Sequence, residues 1–308
     1  MPEQLCAFNG LIDGEINISG KTEALRINGK LLPNGVHVYS DVYSFNLAIG
    51  DEPIGIADSR LTFNALKIYG AHGTPLTMNG YTDFSDFSNI QMNLSLYGNN
   101  FAVFDTQRTR KSALFGTLYG DFFTRITGTT NDLKIRGMIN VLKSTNITYI
   151  MTNTPLSVDY RLGDIVTFVD FSQPSDSTQR TPRTFTGIDM QITLEVEDGS
   201  HVVCEFSADR QSYVNVQGGG TIRMNYTPDG VLSLQGRYTV NEGEMKYTLP
   251  VIPLKTFTIK KGSYIEFAGP ASNPILNIEA TESTKASVSN EDGSSRSVLF
   301  NTGLRITN

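Results

Sequence analysis

The chain has 308 residues, of which 39% are hydrophobic and 28 are glycine, with a formal net charge of −6 and a pI near 5.2. That length admits two ordinary domains or one elongated all-β array, and the lean apolar content fits strands that are greasy on one face only. No stretch is dominated by Lys and Arg, which argues against a nucleic-acid partner, and no apolar run nears the ~20 residues of a membrane-spanning helix.

The opening "MPEQLCAFNG" lacks the basic start and apolar core of a signal peptide. Alternation of apolar and polar residues then sets in. Ile16 and Ile18 fall on one side of "GEINISG", as do Leu25, Ile27 and Leu31 in "ALRINGKL". Val36 and Val38, then Tyr43, Phe45, Leu47 and Ile49, continue it. In "SRLTFNALKIYG", Leu61 and Phe63 keep the phase, which slips near Ala65 and resumes at Leu66 and Ile68, the mark of a β-bulge or tight bend. Met92, Leu94 and Leu96 follow; "FDTQRTRKSALFG", residues 104–116, reads equally as two helical turns or an irregular crossing. Leu133, Ile135, Ile139 and Val141, then Ile147, Tyr149 and Met151, close this first array.

Residues 171–187, "FSQPSDSTQRTPRTFTG", are rich in Ser, Thr, Gln and Pro without periodicity, so they read as a mobile loop or linker. They divide the chain into an N-terminal array, 1–170, and a C-terminal array, 188–308. In the second array "GVLSLQGRYTVNEGEMKYTL", residues 230–249, reads as a hairpin turning on "NEG", with Leu232, Leu234, Tyr238 and Val240 on one face and Met245, Tyr247 and Leu249 resuming that face after the turn. The final "VLFNTGLRITN" stops inside what reads as a strand, which suggests an excised piece of something longer. About twenty strands, bounded by signals such as "PNG", "EDG" and "PDG", are expected.

Catalytic patterns are missing. The three histidines, His37, His72 and His201, have no metal-ligand spacing around them, and "GxSxG", "HExxH", "GxxxxGK[ST]" and "CxxC" are absent. "QGGGTIR" leads into a strand, so its glycines read as a turn and not a phosphate cradle. Glu195 and Glu197 sit on a wet face and carry no glycosidase signature. Cys6 and Cys204 are far apart; Cys204, in phase with Val202 and Phe206, reads as a buried free thiol. Neither an enzyme nor a metal or cofactor site is expected.

Twenty strands at ~4.8 Å would extend roughly 90–100 Å in one sheet. An oily lane of that length exceeds the few hundred Å² of contiguous apolar surface that a soluble monomer exposes. A facing sheet would cover it, as in a tandem β-sandwich adhesin module; so would a curl of the sheet around an apolar guest. Acyl chains suit such a groove, since each buried methylene contributes about 0.8 kcal/mol without directional contacts. A β-helix enzyme would need a stricter rung period and clustered carboxylates.

The last third resembles a known family. The "GxYxxxxGxxxxxL" stretch (Gly236, Tyr238, Gly243, Leu249), the "FxIxxGSxIxFxG" pair (Phe257, Ile259, Gly262, Ser263, Ile265, Phe267, Gly269) and "NPxLxIxA" (Asn273, Pro274, Leu276, Ile278, Ala280), in this order, resemble the C-terminal domain of the TamB family, most like its Bacteroidetes-type members. Residues 187–284 carry the likeness; residues 1–170 match only in style, and Ala268 stands where a more polar residue is expected. The resemblance implies a long all-β sheet curled into an open apolar trough, a β-taco, antiparallel or mixed. It implies a periplasmic location and phospholipid acyl chains as guests. It further implies support for inner-to-outer-membrane lipid transport and for outer-membrane and autotransporter protein assembly. An N-terminal anchor in the inner membrane and a C-terminal contact with an outer-membrane barrel of the BamA/TamA type would lie outside this sequence. Carried over, the lining would be Ile192, Leu194, Val202, Phe206, Ile222, Met224, Leu232, Leu234, Tyr238, Val240, Met245, Tyr247, Leu249, Phe257, Ile259, Ile265, Phe267, Leu276 and Ile278.

Overall fold

The computed structural model describes residues 6–21, 24–151, 187–206, 211–249, 252–270, 273–289 and 295–307. The expected polar linker, up to residue 186, lies outside them. The described residues contain seventeen strands and no helix. The first ten are β1 (Ala7–Lys21), β2 (Ala24–Ser40), β3 (Phe45–Ile49), β4 (Ile54–Ala57), β5 (Arg60–Tyr69), β6 (Leu76–Asp83), β7 (Gln91–Thr106), β8 (Leu114–Thr129), β9 (Asp132–Val141) and β10 (Asn146–Ile150). Then come β11 (Ile188–Glu205), β12 (Tyr213–Tyr226), β13 (Leu232–Leu249), β14 (Ile252–Ile259), β15 (Tyr264–Pro270), β16 (Ile275–Ser289) and β17 (Ser295–Thr307).

All belong to one sheet in which neighbours in the chain are neighbours in space. Three rungs are built from two strands lying end to end: β3 and β4 between β2 and β5, β9 and β10 between β8 and β11, β14 and β15 between β13 and β16. The sheet is therefore about 60 Å long at ~4.8 Å per rung, shorter than a count of twenty separate strands suggests. Pairing is antiparallel except where β11 runs parallel to β9 and β10. Among the described residues β1 pairs only with β2 and β17 only with β16, so the sheet stays open and forms neither a barrel nor two packed sheets.

Breaking a rung in two leaves backbone groups of the adjoining strands without ladder partners, and a buried hydroxyl takes their place. Between β9 and β10, the Thr145 hydroxyl accepts from Tyr119 N and donates to Tyr119 O, both at 3.1 Å. Between β14 and β15, Ser263 does the same for Glu279, accepting from its N at 3.1 Å and donating to its O at 3.3 Å. Both residues are buried.

Several local readings change. Residues 104–116 are the irregular crossing and not a helix: β7 runs to Thr106 and β8 resumes at Leu114. The phase slip at Ala65 is a bulge, with Ala65 at φ 56° and its N–H donating to Asn79 Oδ1 at 2.8 Å. "NEG" is no turn, because β13 passes straight through it. Opposite it, Gln217 pairs with Glu242 and Gly218 with Val240, leaving Asn241 as the extra residue of a bulge. That bulge moves the apolar phase from even to odd positions, the change that resembles a hairpin in sequence. The "GGG" of residues 218–220 is likewise interior to β12, not a turn.

Candidate functional site: an apolar lane on the inner face

Residues paired across strands point to the same side of a sheet, so the register traces each face. One row runs Phe63, Gly80, Leu94, Ile126, Ile135, Met190, Tyr226, Leu232 from β5 to β13. The next carries Ile192, Met224 and Leu234, and the one beyond it Leu194, Ile222, Gly236 and Phe267. Val196, Gly220, Tyr238, Ile265 and Leu276 form a fourth. Val202 pairs with Val216, and Met245 with both Val214 and Phe257, on the same side. Val240, Ile259 and Ile278 share that side too, two residues from Tyr238, Phe257 and Leu276.

The expected lining residues thus lie together on one face. Phe206 sits one residue past the end of β11. The side chains of Tyr247 and Leu249 lie outside the described set. The apolar face expected of the N-terminal array continues the same rows, through Ile16, Gly29, Ile56 and Leu61, to β1, a continuity that the sequence left open. By register the first charged residues on this face are Lys255 on β14, opposite Tyr247, and Glu282 on β16, paired with Thr302; from β1 to β13 no charged residue is paired into these rows among the described residues. A charge here would be held away from water without a partner.

Most inner side chains are half-buried, the condition of a concave surface with no second layer over it. Two places are closed more tightly. Ile68, Leu76 and Phe101 form one cluster, and Val240, Ile259 and Ala280 another. Cys204 and Tyr238 are the inner-face groups with altered acidity. Burial pushes the Cys204 thiol up. Burial first, then Asp198 and Cys204, push the Tyr238 phenol up to about 12. The Tyr238 hydroxyl is buried with no hydrogen-bond partner. Both cysteines are free thiols, Cys6 exposed and Cys204 half-buried.

Glycine makes the concavity feasible. Curling a sheet crowds its inner side chains, and here bulky residues repeatedly face a glycine across the ladder. Gly80 lies between Phe63 and Leu94, and Gly236 between Ile222 and Phe267. Gly80 adopts φ 122° and Gly236 φ 128°; an added Cβ would come 2.0 Å from Asn93 O and 2.1 Å from Thr221 O. Only glycine tolerates either condition.

The outer face is built oppositely. Arg60 pairs with Asp83 at 2.9 Å, Arg136 with Asp189 at 2.5 Å and Arg237 with Glu266 at 2.6 Å, each across neighbouring strands. Arg237 also stacks 4.1 Å from the centroid of Tyr264. His37 shares this face, with Nδ1 3.0 Å from Asn46 Oδ1. No group of three or more His, Cys, Asp or Glu is placed to hold a metal among the described residues, and none of them forms a helix long and apolar enough to cross a membrane.

A single open sheet, ionic outside and apolar inside, defines a β-trough. A family model described as the TamB C-terminal domain matches residues 64–308, most of the chain, and the chain belongs to that family. The match extends well beyond residues 187–284 on both sides, taking in the sheet from β5 to β17. Comparison with curated proteins gives no match. The family acts in envelope assembly with outer-membrane partners, and this chain is accordingly envelope-associated.

Proposed function

We propose that the chain is a non-catalytic conduit segment in the periplasm that shelters phospholipid acyl chains along its inner lane. It thereby supports lipid passage from inner to outer membrane and the assembly of outer-membrane proteins. The observation that carries this reading is the apolar inner face, with no charged residue paired into its rows from β1 to β13 among the described residues, left half-exposed by an open sheet. Hydrocarbon gains about 0.8 kcal/mol per methylene on leaving water for such a surface. Rows of similar apolar residues offer no preferred stopping point, so a guest can slide from rung to rung. An inner-membrane anchor on one side and a BamA/TamA-type barrel on the other would complete the path.

Photo-crosslinking amino acids at Leu234 and Phe267, inner positions, should capture phospholipid from native membranes. The same probes at Arg237 and Glu266, on the outer face, should not. Equal labelling of the two faces, or none at either, would overturn the reading, and mass spectrometry of co-purifying lipid supplies an independent check.

A further inference from the structure

The sheet is notched at one lip. β5 ends at Tyr69 and β6 starts at Leu76, so on that side no strand stands between β3 and the tail of β7. Phe45 to Leu47 pair with β2 alone, and Phe104 to Thr106 with β8 alone. Residues 107–113 pass beside the gap and fasten to it. Ala113 N donates to Val42 O at 2.9 Å, and the Ser44 hydroxyl donates to that of Ser112 at 3.1 Å. The notch is a cleft of about 820 Å³, the size of a small-molecule site.

Its lining has two characters. Phe45, Ala48, Val103 and Phe104 give it apolar walls. The notch spans the sheet: His37, Asn46 and Ala48 in its lining belong to the outer face, while Val103 packs against the inner cluster of Ile68, Leu76 and Phe101, so the cleft opens on the outer face and meets the lane at Val103. Both signs of charge line the remainder: Arg110 and Lys111 as cations, Asp41 and Asp105 as anions. Lys111 Nζ lies 3.1 Å from Asp41 Oδ2 with side chains 75% and 59% exposed. Such an exposed pair is weak enough to exchange partners with a ligand.

We propose that this cleft binds the head group of a zwitterionic phospholipid, one with a phosphate joined to an amino alcohol, while its acyl chains lie on the adjoining lane. Arg110 and Lys111 meet the phosphate; Asp41 and Asp105 meet the ammonium. A net-anionic head group gains the first contact and is repelled by the carboxylates. The proposal rests on the lane reading above and adds to it a place where head-group chemistry is read.

The test uses the 308-residue chain with a photo-crosslinker at Ala71 in the cleft or at Met224 in the lane. It is mixed with vesicles of equal ethanolamine and glycerol phospholipid. Ala71 should capture the ethanolamine lipid about threefold over the glycerol lipid, the selectivity that exposed charge pairs supply. Met224 should label both equally. Asp41→Lys with Asp105→Lys, two exposed positions that leave the core intact, should reverse the preference at Ala71 and leave Met224 unchanged. Labelling at Met224 with none at Ala71, or head-group-blind labelling at Ala71, overturns the cleft proposal and leaves the lane standing. Labelling at Ala71 with Met224 silent keeps the head-group site and sinks the lane; silence at both sinks the two together.

Discussion

Arg108 Nη1 donates to Glu205 Oε2 at 2.9 Å, joining the crossing between β7 and β8 to the end of β11, 97 residues away. Glu205 is buried, its side chain 5% exposed, and the Arg108 guanidinium also lies 5.9 Å from the centroid of Phe115. Replacing Arg108 by Leu strips a charged partner from a buried carboxylate. The expected cost is about 2 kcal/mol, lowered from that of a fully buried pair because Arg108 is partly exposed. Urea denaturation should show the midpoint fall; Glu205→Gln, which removes the charge as well, should fall less. Equal midpoints for Arg108→Leu and wild type would refute the role.

The inner glycines divide into those the bend needs and those it does not. Gly80→Ala and Gly236→Ala should each lose about 2–4 kcal/mol, since a side chain meets a carbonyl on the facing strand in a backbone conformation it disfavours. Gly269→Ala is the matched control on the same face, as nothing lies within 4 Å of its added Cβ. It should change stability by well under ~1 kcal/mol. Thermal melts of the three variants decide it.

Inward charge separates folding from conduction. Ile259 is 4% exposed within the Val240–Ala280 cluster, so Ile259→Lys should cost several kcal/mol, on the order of 3–5, and perturb the fold. Leu234 is only half-buried; Leu234→Glu should fold and yet cut lipid capture at its neighbour Phe267. Gln235→Glu, one residue away on the outer face, should do neither. Circular dichroism alongside crosslinking yield tells the two effects apart.

Tyr238 makes a pH-dependent contribution. Its folded value of about 12 lies above the ordinary 10.0, so folding favours the protonated phenol. That contribution is present in full below pH 10 and is lost as pH climbs toward 12. Tyr238→Phe should therefore flatten the alkaline loss of stability between those values. At pH 7 it should be neutral or slightly stabilising, because the hydroxyl it deletes has no hydrogen-bond partner. A steeper alkaline limb in the variant would contradict the assignment.

Alternation made the strands and the apolar face legible, since period 2 is a property of the local chain. The Ala65 bulge was legible for the same reason: two phases of one pattern flank it. Asn241 was not, because its bulge is defined by which residues of β12 stand opposite, and a phase change at "NEG" reads the same as a turn. The role of the inner glycines comes from the facing residues, as at Phe63, Gly80 and Leu94, which a single strand does not record. The end-to-end rungs and the notch beside β6 depend on how far each strand reaches along its neighbours. No short window of sequence records that length.

Because nearly every strand hydrogen-bonds to the one just before it in the chain, most loops to be closed during folding are short, and their closure entropy is small. Such a polymer can zip up progressively, each finished strand serving as a template for the next. The exception is the parallel seam at β11, separated from the end of β10 by the 37 residues 151–187. That joint is expected to form last, uniting two preassembled halves.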